Sequence, residues 1–394
     1  IDKSSEVREI IVPTIDTVRY TYLVDLAMQH KQPILLVGPT GTGKSAYMMQ
    51  YLYSMDTERY ATPIIVGFSA RTSANMTQYL IDAKLDRRRK GVYGPPAGKE
   101  VCIFVDDLNM PQLETYGAQP PIELLRQYMD HGGWYDRANT FRTMVDCMFC
   151  AAMGPPGGGR SNITPRYQRH FNLLSVVDFD TKVLSKIFVP ILDWYMVKEG
   201  FPANIAEMKR SVIDACIEVY GTAMGQLLPT PTKSHYTFNL RDISRVMQGL
   251  LLIKPSQLGT GAGAKEKFLR LWTNEILRVI YDRVVDAEDC NWFLGVLKDT
   301  FKAHFDDHLD RVFRTLSDGK PVETEDLRRM YFGDYMSGEE EAAKRVYDEV
   351  PDVAALMSRM EELLVDHNAT SKRPMNLAIF LYAVEHTSRI CRVL

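Results

Sequence analysis

The 394-residue chain lacks any apolar run near the roughly 18 residues of a membrane helix. It also lacks an excess of charge: the formal net charge of −3 gives no expectation of nucleic acid or an anionic membrane as a main partner. Cysteine is sparse and unpatterned. The six are Cys102, Cys147, Cys150, Cys216, Cys290 and Cys391, and the one C-x-x-C, at Cys147 and Cys150, falls inside an apolar run over 144–153 that reads as a buried strand. No second pair completes a zinc site, so reduced, mostly buried thiols are expected. His304 and His308 have the i, i+4 spacing of a shared metal, but Phe305 stands where a zinc protease keeps its glutamate, which favours a solvated helix face. With no secretory leader, the glycosylation-like triplets at Asn75, Asn162 and Asn368 read as coincidences. The first residue is Ile1 rather than Met, as expected for a piece of something longer.

Against these absences stands one strong signal. The apolar stretch 34–37 reads as a buried strand and runs into Gly38-Pro39-Thr40-Gly41-Thr42-Gly43-Lys44-Ser45. That octet fits the phosphate-binding pattern G-x-x-x-x-G-K-[ST] at every defined position, and a helix is predicted over 46–53. Glycines let such a loop curl until its backbone N–H groups point inward, and the new helix adds its positive end. Lys44 supplies a point charge for the outer phosphates, and the Ser45 hydroxyl can ligate Mg²⁺. A Gly-rich turn before an ordinary helix would not need all three features in register.

The rest of the N-terminal half reads as short apolar strands alternating with helices: strands at 10–12, 63–68, 101–105, 144–153 and 171–177, and helices over 17–30, 73–86 and 121–131. The charge run Arg87 to Lys90 reads as a solvated edge leading into a turn or hairpin at 91–96. This pattern predicts a parallel sheet covered on both faces. Past Asp180 it changes. Val183, Leu184, Ile187, Phe188, Ile191 and Leu192 make one helical stripe, and Ile205, Met208, Val212, Cys216 and Val219 make another. A linker follows at 229–234. Asn239 and Asp242 are spaced as an N-cap and its reciprocal partner, 255–263 reads as a flexible break, and helices are predicted over 265–286, 353–366 and 376–394. The expected architecture is an α/β nucleotide-binding domain over 1–180, a helical lid over 181–315, and a helical extension over 316–394.

The second chemical feature is the strand that ends in Asp106-Asp107, roughly sixty residues after the loop. A phosphate-loop enzyme needs a carboxylate at a neighbouring strand tip to hold the Mg²⁺ shell, and Asp106 suits that. Asp107 is placed to orient an attacking water. The guanine-reading Asn-Lys-x-Asp is absent, which argues against a GTPase. Nothing reads as an acceptor pocket for a small-molecule kinase.

The order of loop, Asp-Asp strand, Gly-Pro-Pro strand end, Arg-containing segment and helical lid is similar to an AAA+ module. The wording resembles the dynein heavy chain: 104–111 (FVDDLNMP), 116–121 (YGAQPP) and 235–242 (HYTFNLRD) resemble the third of its six ring modules. The stretch 91–96 (GVYGPP) and the Asp pair tilt the likeness toward axonemal dyneins, and 386–390 (HTSRI) resembles the helix preceding the fourth module's loop. The resemblance implies that Gly38 to Ser45 bind the phosphates of ATP or ADP, that Ser45 and Asp106 hold Mg²⁺, and that Val12 lies near the adenine. It implies that Arg241 is the lid arginine reaching the outer phosphate. Arg166 or Arg169 would be the finger offered to the preceding module, and this module's own finger would come from the next. Implied partners are the second and fourth modules of the same heavy chain and, through the parent motor, intermediate and light chains and microtubules in the axoneme of a cilium or flagellum.

Two departures from the family pattern bear on turnover. Members that hydrolyse ATP usually carry Glu where Asp107 stands, and the shorter side chain retracts the carboxylate by about one C–C bond, ~1.5 Å. The polar sensor at the next strand end is usually Asn, and the matching position is Gly154. Binding residues are intact and water-activating ones altered, so the sequence predicts a regulatory nucleotide site with slow hydrolysis. An actively hydrolysing ATPase module and a purely structural, nucleotide-locked joint are the alternatives.

Overall fold

The computed structural model describes residues 10–338 and 344–393, which fall into two compact units, one spanning Pro13–Asp180 and the other taking in the remaining described residues.

In the first unit, α1 (Ile15–Gln29) is opened by a reciprocal cap in which Thr14 and Thr17 satisfy each other's backbone N–H groups. Next come β1 (Ile34–Val37), α2 (Lys44–Tyr53), β2 (Ile64–Gly67) and α3 (Ala74–Asp82). The chain continues through β3 (Asp86–Arg89), β4 (Val92–Gly94), β5 (Val101–Asp106), α4 (Pro120–His131), β6 (Gly133–Tyr135) and β7 (Phe141–Met144). It ends with β8 (Cys147–Met153), α5 (Pro165–Gln168) and β9 (Asn172–Ser175). The main sheet has five strands in the order β2-β5-β8-β1-β9, every neighbour parallel.

Strand alternation divides the core between the two faces. Leu35, Ile103, Val105, Phe149 and Ala151 pack with Ile81, Ile122 and Leu125 of α3 and α4. Their neighbours Ile34, Leu36, Cys102, Phe104, Cys150 and Ala152 pack with Val24, Met28, Met48 and Leu52 of α1 and α2. Both faces of the sheet are covered, as the near-continuous apolar strands require.

Two local expectations are corrected and a third gains detail. Residues 10–12 form no strand. The run over 144–153 is broken at Asp146, whose φ of 56° turns the chain out of β7 and into β8. The charge run, expected as a solvated edge, is the mostly exposed edge strand β3 of a second, four-stranded sheet in the order β3-β4-β7-β6. Within the run Arg88 alone is half-buried, its guanidinium donating to the Pro95 carbonyl at 2.6 Å and to Asp146 at 3.2 Å.

In the second unit the helices are α6 (Thr181–Glu199), α7 (Ala203–Ala206), α8 (Lys209–Gln226), α9 (Leu240–Leu250), α10 (Pro255–Leu258), α11 (Gly261–Val279), α12 (Ala287–Phe305), α13 (Leu309–Val312) and α14 (Thr324–Arg328). A small antiparallel pair, β10 (Tyr331–Gly333) with β11 (Asp348–Val350), departs from the all-α expectation beyond 315, and α15 (Val353–Thr370) and α16 (Leu381–Val393) follow. Trp272 of α11 is fully buried, donates to Cys216 Sγ at 3.0 Å and meets Phe301 and Phe305 edge-on. His304 and His308 do not share a helix face, because α12 ends at Phe305 and His308 caps α13. No described helix is long and apolar enough to cross a membrane, and no described cluster of His, Cys, Asp and Glu could hold a metal ion.

Candidate functional site

The site is built on the carboxyl edge of the parallel sheet. β1 ends at Val37 and β5 at Asp106, and both pair with β8 between them. Two strand spacings put their tips about 10 Å apart. That is room for a phosphate chain and a hydrated ion, at the place where parallel sheets bind ligands.

Between β1 and α2 the loop curls tightly. Gly41 and Gly43 have φ of 90° and 79°, and a Cβ on Gly43 would come within 2.8 Å of the Tyr47 ring. Burial pushes the Tyr47 phenol above its ordinary value, so it stands beside the loop as a neutral group. Thr42 is fully buried and donates to the Pro39 carbonyl at 2.9 Å, closing the curl. Lys44 is only 8% exposed, and its ammonium donates to the carbonyls of Gly38 at 2.7 Å and Pro39 at 2.5 Å. Ser45, half-buried, follows in the first turn of α2, which carries no acidic residue. A buried cation, inward-curling glycines and a helix start free of carboxylates fit a polyphosphate.

At the β5 tip, Asp106 is half-buried and Asp107 exposed. Asp107 adopts φ 52°, and its N–H donates to Asp106 Oδ1 at 3.0 Å. Aspartate tolerates this left-handed backbone better than most residues. The chain then returns to the sheet, where Leu108 N–H donates to Ala152 O at 3.0 Å. Asn109, fully buried, donates from Nδ2 to the Gly154 carbonyl at 2.8 Å and accepts Ser161 N–H at 3.1 Å. Asn109 therefore ties the carboxylate loop to the end of β8, a role that sequence reasoning missed.

At Gly154 the place of an absent side chain is taken. A Cβ there would lie 2.6 Å from Nε and 2.9 Å from Cζ of Arg160. Arg160 Nη2 donates to Thr40 Oγ1 of the phosphate loop at 3.1 Å. Sequence reasoning also missed Arg160, although the three glycines before it were a visible signal.

The two candidate finger arginines differ. Arg169 donates to Asp130 Oδ1 at 2.9 Å, beside Arg126 and His170 on the same carboxylate. Hydrogen bonding from Arg169 is the largest influence holding Asp130 below the usual carboxylate range. Arg166 is exposed, and its side chain has no partner among the described residues. Arg241 and Val12 belong to the second unit. There the backbone N–H of Arg241 donates to Asn239 Oδ1 at 2.9 Å and its side chain is exposed. Next to it Asp242, 1% exposed, accepts Asn239 N–H at 2.8 Å and pairs with Arg283, so the start of α9 is pinned. Val12 is half-buried in irregular backbone.

Comparison with known proteins agrees with this geometry. Residues 1–179 match a family model described as the P-loop containing dynein motor region, and 212–315 match an AAA+ lid domain. The chain is 49% identical over 396 residues to dynein axonemal heavy chain 12 of Mus musculus, covering 100% of this chain and 13% of that one. The chain belongs to the axonemal dynein heavy-chain family. Dynein axonemal heavy chain 3 of Mus musculus is 46% identical over 395 residues, covering 100% of this chain and 10% of the relative. Dynein axonemal heavy chain 1 of Homo sapiens is 43% identical over 397 residues, covering 98% and 9%. As a member of this family the chain is a dynein motor AAA+ module, with a parallel sheet between helices followed by a lid, and it spans a small fraction of these relatives' length.

Proposed function

We propose that this module is the third of a dynein ring and binds ATP or ADP with Mg²⁺ chiefly as a regulatory site, with hydrolysis slow. In this reading Gly38 to Ser45 cradle the phosphates, Lys44 turns from the loop carbonyls to the outer phosphates, and Ser45 and Asp106 hold the metal. Mg²⁺ would neutralise phosphate charge; the remaining work falls to the chain's own groups. Residues 1–180 form the nucleotide-binding domain, 181–315 the lid and 316–394 an extension toward the fourth module. Val12 borders the adenine, and Arg241 couples nucleotide state to the lid. The parent motor works on microtubules in the axoneme, with intermediate and light chains as further partners.

The observation that carries slow turnover is the state of the two water-activating positions. Asp107 is one methylene shorter than glutamate, and a misplacement near 1 Å can cost on the order of a hundredfold in rate. Gly154 carries no amide at all. The test is to denature the purified protein, identify any released nucleotide by chromatography, and then follow phosphate from intact protein given ATP·Mg²⁺. Retained nucleotide without steady phosphate release is the expected result. Multiple turnovers would make this an actively hydrolysing ATPase module, and nucleotide that never exchanges would make it a structural joint.

A further inference from the structure

We infer that Arg160 is this module's own sensor of the third phosphate, a cationic donor delivered in cis to the place that Gly154 leaves open. The inference rests on the nucleotide-site reading above and goes beyond it by naming the group that tells a nucleoside triphosphate from a diphosphate.

The segment between β8 and α5 is shaped to deliver this side chain. Gly157, Gly158 and Gly159 have φ of 111°, 57° and 85°, three left-handed residues in succession. They fold the chain into a tight reversal closed by Gly157 and Arg160, each N–H donating to the other's carbonyl at 3.1 Å. Residues with side chains pay a steric cost for such backbone, so the reversal depends on the glycines. On its return the chain is anchored by Ser161 N–H on the carbonyl of Asn109, three residues beyond Asp106. Arg160 is thereby fixed to the carboxylate loop on one side. Its guanidinium reaches the phosphate loop on the other, through Nη2 on Thr40 Oγ1 at 3.1 Å.

The missing side chain at 154 and the arginine at 160 are thus one arrangement. The guanidinium lies where a Cβ on Gly154 would be, with Nε at 2.6 Å and Cδ at 2.8 Å from that point. Any larger residue at 154 would push Arg160 off the loop. Arg160 Nε is buried and has no acceptor. A guanidinium is a planar fork of five donors, of which Thr40 takes one. A phosphate oxygen beside Thr40 would be a natural acceptor for the remaining Nη donors of the fork. A neutral asparagine at 154 would offer one polar amide. Arginine offers a charge, which discriminates more strongly between a triphosphate and a diphosphate because they differ by a charged group.

The test uses the whole heavy chain and a readout confined to this module: photo-crosslinking of an 8-azido adenine nucleotide, quantified on this module's peptides. Competition by ATPγS and by ADP gives two dissociation constants for each variant. Their ratio does not depend on the fraction of protein that is folded. Wild type is expected to favour ATPγS, and Arg160→Ala to lose about tenfold or more of that preference, the worth of one charge-assisted hydrogen bond. Arg160→Lys should keep part of it as a point charge. The double variant Arg160→Ala with Gly154→Asn should recover part of it, because the vacated space admits the amide. An unchanged ratio in Arg160→Ala, or equal weakening of both nucleotides, would overturn the inference and leave Arg160 a brace for Thr40. Failure of wild type to crosslink at all would instead remove the nucleotide-site reading, and this inference with it.

Discussion

The backbone of Gly249 in α9 lies directly against the carboxylate of Glu275 in α11, leaving no space for a Cβ. Glu275 is completely buried, yet it is satisfied: Arg392 pairs with it at 2.6 Å, Tyr347 donates at 2.9 Å and Asn274 at 3.1 Å. A buried carboxylate is tolerable only with such partners. Gly249→Ala should therefore destabilise by about 1–3 kcal/mol through crowding. Arg392→Ala should cost more, about 3–5 kcal/mol, by leaving the charge unpaired. Urea midpoints of the two variants check the order; a Gly249→Ala protein as stable as wild type would mean that α9 and α11 separate easily.

The finger role can be divided between its two candidates. Arg169 is committed to Asp130, whereas Arg166 is exposed and uncommitted among the described residues. Arg166→Ala should lower hydrolysis at the preceding module by a factor of roughly 10³, as loss of a trans arginine does, with stability unchanged. Arg169→Ala should act mainly on stability, and weakly, because its side chain is 64% exposed. Single-turnover phosphate release in the intact ring decides between them, and the opposite ranking would exchange their roles.

Acid should loosen α16. Burial alone would raise the Glu385 carboxyl, but Arg328, Arg389 and Arg278 outweigh it and hold the group below 4.5. A carboxyl that ionises more readily when folded stabilises the fold fully above its unfolded value, and loses that contribution as pH falls through the lower folded value. Asp282 nearby runs the opposite way, raised chiefly by its burial. The protection of α16 amides, taken relative to their intrinsic exchange rates at each pH, should fall below about pH 4.5 in wild type, and Glu385→Gln should flatten that dependence. A variant that tracks wild type through this range would remove Glu385 from the account.

Restoring hydrolysis should need three changes rather than two. Asp107→Glu extends the carboxylate, at a modest cost for holding Glu at a φ of 52°. Gly154→Asn by itself collides with Arg160 and should not help. Phosphate release from the ring should rise with Asp107→Glu, and rise further only when Gly154→Asn is accompanied by Arg160→Ala. A gain from Gly154→Asn alone would show that Arg160 moves aside at little cost.

Thiol reactivity should follow burial. Cys102, Cys150 and Cys216 are buried, Cys147 and Cys290 are half-buried and Cys391 is exposed. Burial pushes the Cys147 thiol up to about 12, so it holds almost no thiolate at pH 8. Maleimide should modify Cys391 first and Cys290 next, with the other four requiring denaturant. Rapid labelling of Cys147 in native protein would contradict this ordering.

Much of the chemistry was legible because it is local in sequence. The strand at 34–37, the loop and the helix after it are contiguous, and the Asn239–Asp242 cap spans four residues, so periodicity and spacing sufficed. What escaped depends on partners far along the chain. β6 and β7 are three and four residues long, too short to show alternation, and exist because they pair across the turn that Asp136 caps through the N–H groups of Ala138 and Thr140. The break at Asp146 is a single left-handed residue inside an apolar run. Arg160 looks like one more surface charge until Thr40, 120 residues earlier, is seen to accept its hydrogen bond. Gly154 was legible as a missing amide, but not as the space that another side chain fills.

The pairing of Glu275 with Arg392 also fixes where the polypeptide can be cut. The two residues are 117 positions apart, and the arginine sits near the end of α16. A fragment ended at 315, where the lid match stops, would strip Arg392 and Tyr347 from the Glu275 carboxylate and open the middle of α11 to water. Such a fragment should express poorly or open around Gly249. One that retains α16 carries its own counter-charge, and proteolysis of the native protein should spare Glu275's surroundings for as long as the last helix stays in place.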